Sequence, residues 1–135
     1  MEKSLCLYFQ VHQPDRLRLY RFFDIGSSSD YFDEFANRTI LRRVAERCYL
    51  PMNAILLDLI RRYKGKFKVC FAISGVALDQ FNEYVPEVMT SFRELARTNC
   101  VEFLAETYSH SLSSLISEKE FIRQVKEHSD AIKKY

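Results

Sequence analysis

Three short apolar runs, separated by stretches with helical periodicity, constrain this chain more than any other feature. They are SLCLYFQV at 4–11, FKVCFAI at 67–73 and CVEFL at 100–104. Runs this short and this continuously apolar read as strands buried on both faces, the kind found in parallel sheets. Between the first two, Asn37 can cap a helix whose Leu41, Val44, Ala45 and Cys48 follow the i, i+3, i+4, i+7 rule. Pro51 breaks that pattern and opens a second helix. Met52, Ile55, Leu56, Leu59, Ile60 and Tyr63 form its stripe, and Gly65 suits its C-terminal cap. The arginines at 42, 43, 47, 61 and 62 fall mostly off these stripes and read as a solvated face.

After the second run, residues 76–83 fit a short helix. Pro86 opens another, with Val85, Val88, Met89, Phe92 and Ala96 on one side. Asn99 tolerates the left-handed conformation that ends helices. A polar loop follows the third run, and Ser117-Glu118-Lys119-Glu120 is a capping box for a last helix. Strands alternating with helices imply an α/β fold with a parallel sheet and right-handed crossovers. Three strands cannot close a barrel, and helices on one side leave the other sheet face bare. The chain therefore reads as the start of a larger barrel or as a small sheet that needs a partner.

A net charge of +2 is too weak to imply nucleic acid or an anionic membrane as a partner. No apolar run approaches the ~20 residues that cross a bilayer. Residues 1–3 lead straight into a strand without a cleavage site, so no signal peptide and a cytoplasmic location are expected. None of Cys6, Cys48, Cys70 and Cys100 is paired as C-x-x-C, and each sits in an apolar pattern. Buried, reduced thiols are expected rather than disulfides or zinc ligands. The irregular stretch from Pro14 to about Asn37 is too long for an ordinary connector. Its Tyr20, Phe22, Phe23, Tyr31, Phe32 and Phe35 call for something to pack against.

Parallel α/β folds bind ligands beyond the carboxyl ends of their strands. His12 and Gln13 follow the first strand, Ser74 the second, and Glu102, Glu106 and His110 lie on or after the third. Three segments thus bring polar groups to one rim. Ser74-Gly75 reads as a tight strand-to-helix turn, since it lacks the spacing of a nucleophile elbow. Ser111, Ser113 and Ser114 read as loop filler. Glu102 sits between Val101 and Phe103 and points away from both.

YFQVHQP at 8–14, YFDEFAN at 31–37, CYLPMN at 48–53, FAISGVALDQF at 71–81 and NCVEFLAETYSHSL at 99–112 resemble, in this order, glycoside hydrolase family 57. DRLRLYRFFDIG at 15–26, together with YFDEFAN and CYLPMN, is similar to its α-amylase-type branch in particular. The resemblance covers essentially the whole chain. It departs at Asn99, where many relatives carry Gly, and at Ala72, where Ser is common.

The resemblance implies that residues 1–135 are the N-terminal part of a catalytic barrel: three β/α units of an incomplete seven-stranded (β/α) barrel that continues beyond Tyr135. It implies action on α-1,4-glucans such as starch, glycogen or maltodextrins, by a retaining mechanism with a Glu nucleophile and an Asp acid/base. Such carboxyls stand ~5–5.5 Å apart, and both are expected after Tyr135, so the 135 residues alone are expected to be inactive. His12, Gln13, Glu102, Glu106 and His110 are the expected substrate-binding residues. Neither a metal nor a cofactor is expected, and glucan transfer is as compatible as hydrolysis. Two other readings stay open. One is a metal-dependent, polysaccharide deacetylase-like barrel with His12, Glu102 and His110 as ligands. The other is a non-catalytic glucan- or protein-binding module built on the aromatic loop.

Overall fold

Apolar strands that alternate with amphipathic helices bury themselves by laying every helix on one sheet face, and the computed structural model, which describes residues 5–135, has this arrangement. The strands are β1 (Tyr8–Val11), β2 (Val69–Ile73) and β3 (Val101–Leu104), parallel and in the order β1-β2-β3. Each is shorter than its apolar run, and residue 4 of the first run lies outside the described residues. The helices are α1 (Glu34–Val44), α2 (Leu50–Arg62), α3 (Gly75–Tyr84), α4 (Pro86–Ala96) and α5 (Glu118–Lys134).

Register explains the two faces. Phe9, Phe71 and Phe103 are partners across the three strands. Their rings form a row, with centroids 5.2 Å and 6.2 Å apart, and Phe92 of α4 meets Phe71 edge-on at 5.3 Å. Val11 and Ile73 share this covered face, and Leu41, Leu56, Ile60, Leu78, Phe81 and Leu95 are among the core residues above it. The opposite face carries Tyr8, Gln10, Cys70, Ala72, Glu102 and Leu104, by the alternation of strand side chains. Tyr8, Gln10 and Glu102 on it are exposed.

The helical stretch between β1 and β2 departs from two separate helices. Asp33, not Asn37, caps α1, accepting from Ala36 N–H at 2.8 Å. Asn37 lies within the helix, buried, and its Oδ1 accepts from the Arg16 N–H at 2.9 Å. Residues Ala45–Tyr49 form a π-helical turn that joins α1 to α2 without a break, with Leu50 N–H donating to Ala45 C=O. Pro51 has no N–H to give the Arg47 carbonyl and its ring crowds that position, so the wider turn absorbs it. The α2 stripe is also turned from the expected one. Asn53, Leu56 and Ile60 are buried, whereas Met52, Ile55 and Tyr63 are exposed.

Elsewhere the local chemistry acts as the residues suggest. Ser74 caps α3, Pro86 stands at the start of α4, and Asn99 takes φ 56° ahead of β3. Ser117 caps α5 through Glu120 N–H at 3.3 Å. The box is only half made, because the Glu120 carboxylate accepts from Arg123 and Gln124 instead. The thiols differ from expectation. All are free, but Cys6 and Cys48 are exposed, Cys70 is half-buried and only Cys100 is buried.

The segment between β1 and α1 folds back on itself. Leu17 bridges Phe32, Arg18 N–H donates to Tyr31 C=O at 3.0 Å, and Tyr20 Oη donates to the Asp24 carbonyl at 2.7 Å. Tyr20 and Tyr31 pack together, but Phe22, Phe23 and Phe35 find no core within the described residues and stay exposed.

Candidate functional site

The register that aligns the phenylalanines also builds the rim. Gln10, Ala72 and Leu104 are partners on the bare face. Two residues further along each strand direction come His12, Ser74 and Glu106, which therefore arrive abreast on that face at the carboxyl ends. Ser74 N–H still donates to Val11 C=O at 3.1 Å, so this level extends the ladder.

The side chains interlock. His12 Nδ1 is 2.7 Å from Ser74 Oγ. Gln10 Nε2 donates to both oxygens of Glu106, each at 3.1 Å, and His110 Nδ1 is 2.8 Å from Glu106 Oε2. The His12 and His110 rings stack with centroids 4.8 Å apart. Burial lowers the pKa of His12, as does the neighbouring His110, while the Glu106 and Asp15 carboxylates pull the other way.

The loop that presents Glu106 and His110 is held from three sides. His110 takes φ 51°, a left-handed conformation, and its N–H closes a turn onto Thr107 C=O at 2.9 Å. Thr107 Oγ1 accepts from Ser111 N–H at 2.8 Å. Ser111 Oγ and Ser109 N–H both donate to Gln124 Oε1 on α5. Ser111, with Ser113 as its hydroxyl partner, is thus part of the support rather than filler. On the third side, Val76 N–H donates to Tyr108 C=O at 3.2 Å and Tyr108 Oη donates to Asp79. Burial and that carboxylate push the Tyr108 phenol well above its ordinary range.

Of the expected site residues, His12, Glu106 and His110 come together. Gln13 does not join them. Its amide donates to Tyr49 Oη at 3.1 Å and accepts from Arg16 at 3.2 Å. Its own carbonyl accepts from Gln80 Nε2 at 3.0 Å, so Gln13 anchors the loop behind the rim. Glu102 lies on the bare face but at the level of Tyr8 and Cys70. That is four residues before Glu106, roughly 13 Å at ~3.3 Å per residue. His12, Glu102 and His110 therefore do not form the ligand set of the metal-dependent reading. Among the described residues no group of three His, Cys, Asp or Glu is arranged to hold a metal ion.

The residue expectation missed is Gln10. It stands two before His12 in a strand, and alternation alone puts both on one face.

A sheet whose bare face carries polar groups at the strand ends, with every helix on the other face, is the geometry of a barrel segment rather than of a doubly wound sheet. The model of glycosyl hydrolase family 57 matches residues 6–135. This chain belongs to that family.

Within family 57, the chain is 39% identical over 126 residues to a protein of Methanocaldococcus jannaschii to which alpha-amylase activity is ascribed. The match takes in 89% of this chain and 26% of that protein. Its fold is similar to that of the crystal structure of 4-alpha-glucanotransferase from Thermococcus litoralis, with a TM-score of 0.67 and 18% identity. That likeness covers 96% of this chain and 17% of the solved one. The chain thus spans about a quarter or less of the length of these relatives. The three β/α units of the family 57 chain are a partial barrel. Among the described residues, no helix is long and apolar enough to cross a membrane.

Proposed function

We propose that the family 57 chain supplies the first part of an α-glucan-acting, retaining glycosidase barrel, and that its rim forms a sugar subsite. The observation that carries this reading is the convergence of Gln10, His12, Glu106 and His110 on the uncovered face at the strand ends. Hydrogen-bonding groups on such a rim, held rigidly from behind, suit a hydroxyl-rich ligand. The alpha-amylase activity ascribed to the M. jannaschii relative supports starch-like α-1,4-glucans as the class.

In this reading His12, Glu106 and His110 contact sugar hydroxyls, and Gln10 orients Glu106. Gln13 acts from behind the rim by fixing the turn after β1. Glu102 exposes a carboxylate deeper on the same face, where the rest of a closed barrel would lie over it. The reacting carboxylates come from polypeptide beyond residue 135, and the free thiols fit a cytoplasmic setting.

The test is hydrolysis of soluble starch by the polypeptide as its gene encodes it. Activity that falls at least tenfold in His12→Ala and in Glu106→Gln, with the fold intact, is expected. Sugar release by the pure 135-residue chain would overturn this reading, since it would place the reacting carboxylates within residues 1–135.

A further inference from the structure

One buried hydroxyl decides the proton position on the rim. Ser74 is fully buried. Among the described residues its Oγ has two neighbours: Ala77 N–H, which donates to it at 3.3 Å, and His12 Nδ1 at 2.7 Å. A serine hydroxyl has one proton and two lone pairs. Ala77 occupies one lone pair. A proton on His12 Nδ1 would occupy the other and leave the Ser74 O–H buried without an acceptor, which native interiors avoid. Every group is satisfied only when Ser74 donates to a bare Nδ1 and the His12 proton sits on Nε2.

His110 is held the opposite way. Its Nδ1 is 2.8 Å from a Glu106 oxygen that also accepts from Gln10. A carboxylate only accepts, so Nδ1 carries the proton and the Nε2 of the neutral ring is a bare lone pair. Among the described residues neither Nε2 has a protein partner. The two rings lie nearly parallel, 29° apart in plane.

We propose that Ser74 is a positioning residue that fixes His12 as a neutral Nε2–H donor, opposite in tautomer to His110, so that the stacked pair presents one donor and one acceptor to a ligand hydroxyl. A hydroxyl can accept from the first ring and donate to the second. An ionised carboxylate or a phosphodiester cannot donate, and an ammonium cannot accept. The pair therefore selects alcohols over ions. The ligand class rests on the glucan reading above, but the tautomers rest on the Ser74 and Glu106 hydrogen bonds alone.

The charged groups facing His12 are His110 and Glu106 from the loop after β3 and Asp15 from the loop after β1. A second proton on His12 would have to enter at Nδ1 and break the Ser74 bond. Burial and the neighbouring His110 also lower its pKa.

The test reads tautomers directly, without any glucan. The protein is labelled with 15N at histidine, and long-range proton–nitrogen correlations are recorded at neutral pH. His12→Gln and His110→Gln assign the two signals. The expected result is Nε2–H for His12 and Nδ1–H for His110. Ser74→Gly removes the hydroxyl but keeps a tolerated helix cap. It should give His12 a mixture of tautomers. Ser74→Thr should restore the wild-type pattern. Nδ1–H on wild-type His12, or an unchanged tautomer in a folded Ser74→Gly, would overturn the proposal. If Ser74→Gly unfolds, judged by its amide spectrum, the wild-type tautomer alone decides. Loss of glucan binding with these tautomers in place would count against the glucan reading, not against Ser74.

Discussion

The ring of Tyr108 lies directly over Gly75: a Cβ built at residue 75 would sit 2.2–2.6 Å from three of its ring carbons. No side chain fits there while Tyr108 stays. The glycine is therefore the condition for docking the loop after β3 onto the start of α3, and so for holding Glu106 and His110 beside His12.

Gly75→Ala should displace Tyr108 and destabilise the protein by about 1–3 kcal/mol, the usual cost of overpacking. In a Tyr108→Ala background the same substitution should cost almost nothing, because the overlapping ring is gone. Denaturant unfolding of the four proteins in this cycle measures the coupling. Additive effects would show that the contact has no energetic weight.

His128 supplies a second anchor. It is buried on α5, and its Nε2 donates to the Ile73 carbonyl at 2.8 Å, past the last partner that β3 offers to β2. His128→Leu keeps bulk but orphans that carbonyl, so a loss of about 1–3 kcal/mol is expected. Amide exchange along α5 should quicken in the variant, and unchanged protection would contradict the anchoring role.

Asp15 carries a cost that pH can remove. Burial raises its pKa, and the nearby Asp79 and Glu83 carboxylates add to the rise. A carboxyl that holds its proton more tightly when folded weakens the fold wherever it is ionised. That cost is absent below the unfolded value of 3.8 and complete above the raised folded one. Asp15→Asn keeps Oδ1 as acceptor for Gln80, now 2.9 Å away, and removes the charge. It should stabilise the protein near pH 7 by about 0.2–1 kcal/mol, a size limited by solvent screening. The gain should vanish below pH 3.8. Thermal melts of both proteins at the two pH values measure it, and an equal gain at both would contradict the charge argument.

The sheet was legible because apolar runs of four to eight residues have few alternatives, and period-two alternation then assigns faces. That alternation contained Gln10 as well as His12, although only His12 stood out by its chemistry. It could not give the level of Glu102, which depends on register between strands far apart in sequence. Gln13 follows His12, but its orientation is set by Tyr49 and Arg16, which no local pattern links to it. The π turn before Pro51 was hidden because a proline breaks a helix in one context and widens it in another. The α2 stripe was misplaced for a related reason. Hydrophobic periodicity marks an apolar stripe without saying which part of it is covered, and Ile55 and Met52 lie exposed.

The exposed Phe22, Phe23 and Phe35 are the main feature outside the rim, and they set up the most direct test of the sugar subsite. Backbone and side-chain amide shifts of the isotopically labelled protein are followed during titration with maltoheptaose. If the rim is the sugar subsite, saturable changes are expected at Gln10, His12, Glu106 and His110, absent in His12→Ala, with residues 20–35 unmoved. Changes confined to 20–35, or none at the rim up to saturating sugar, would contradict it.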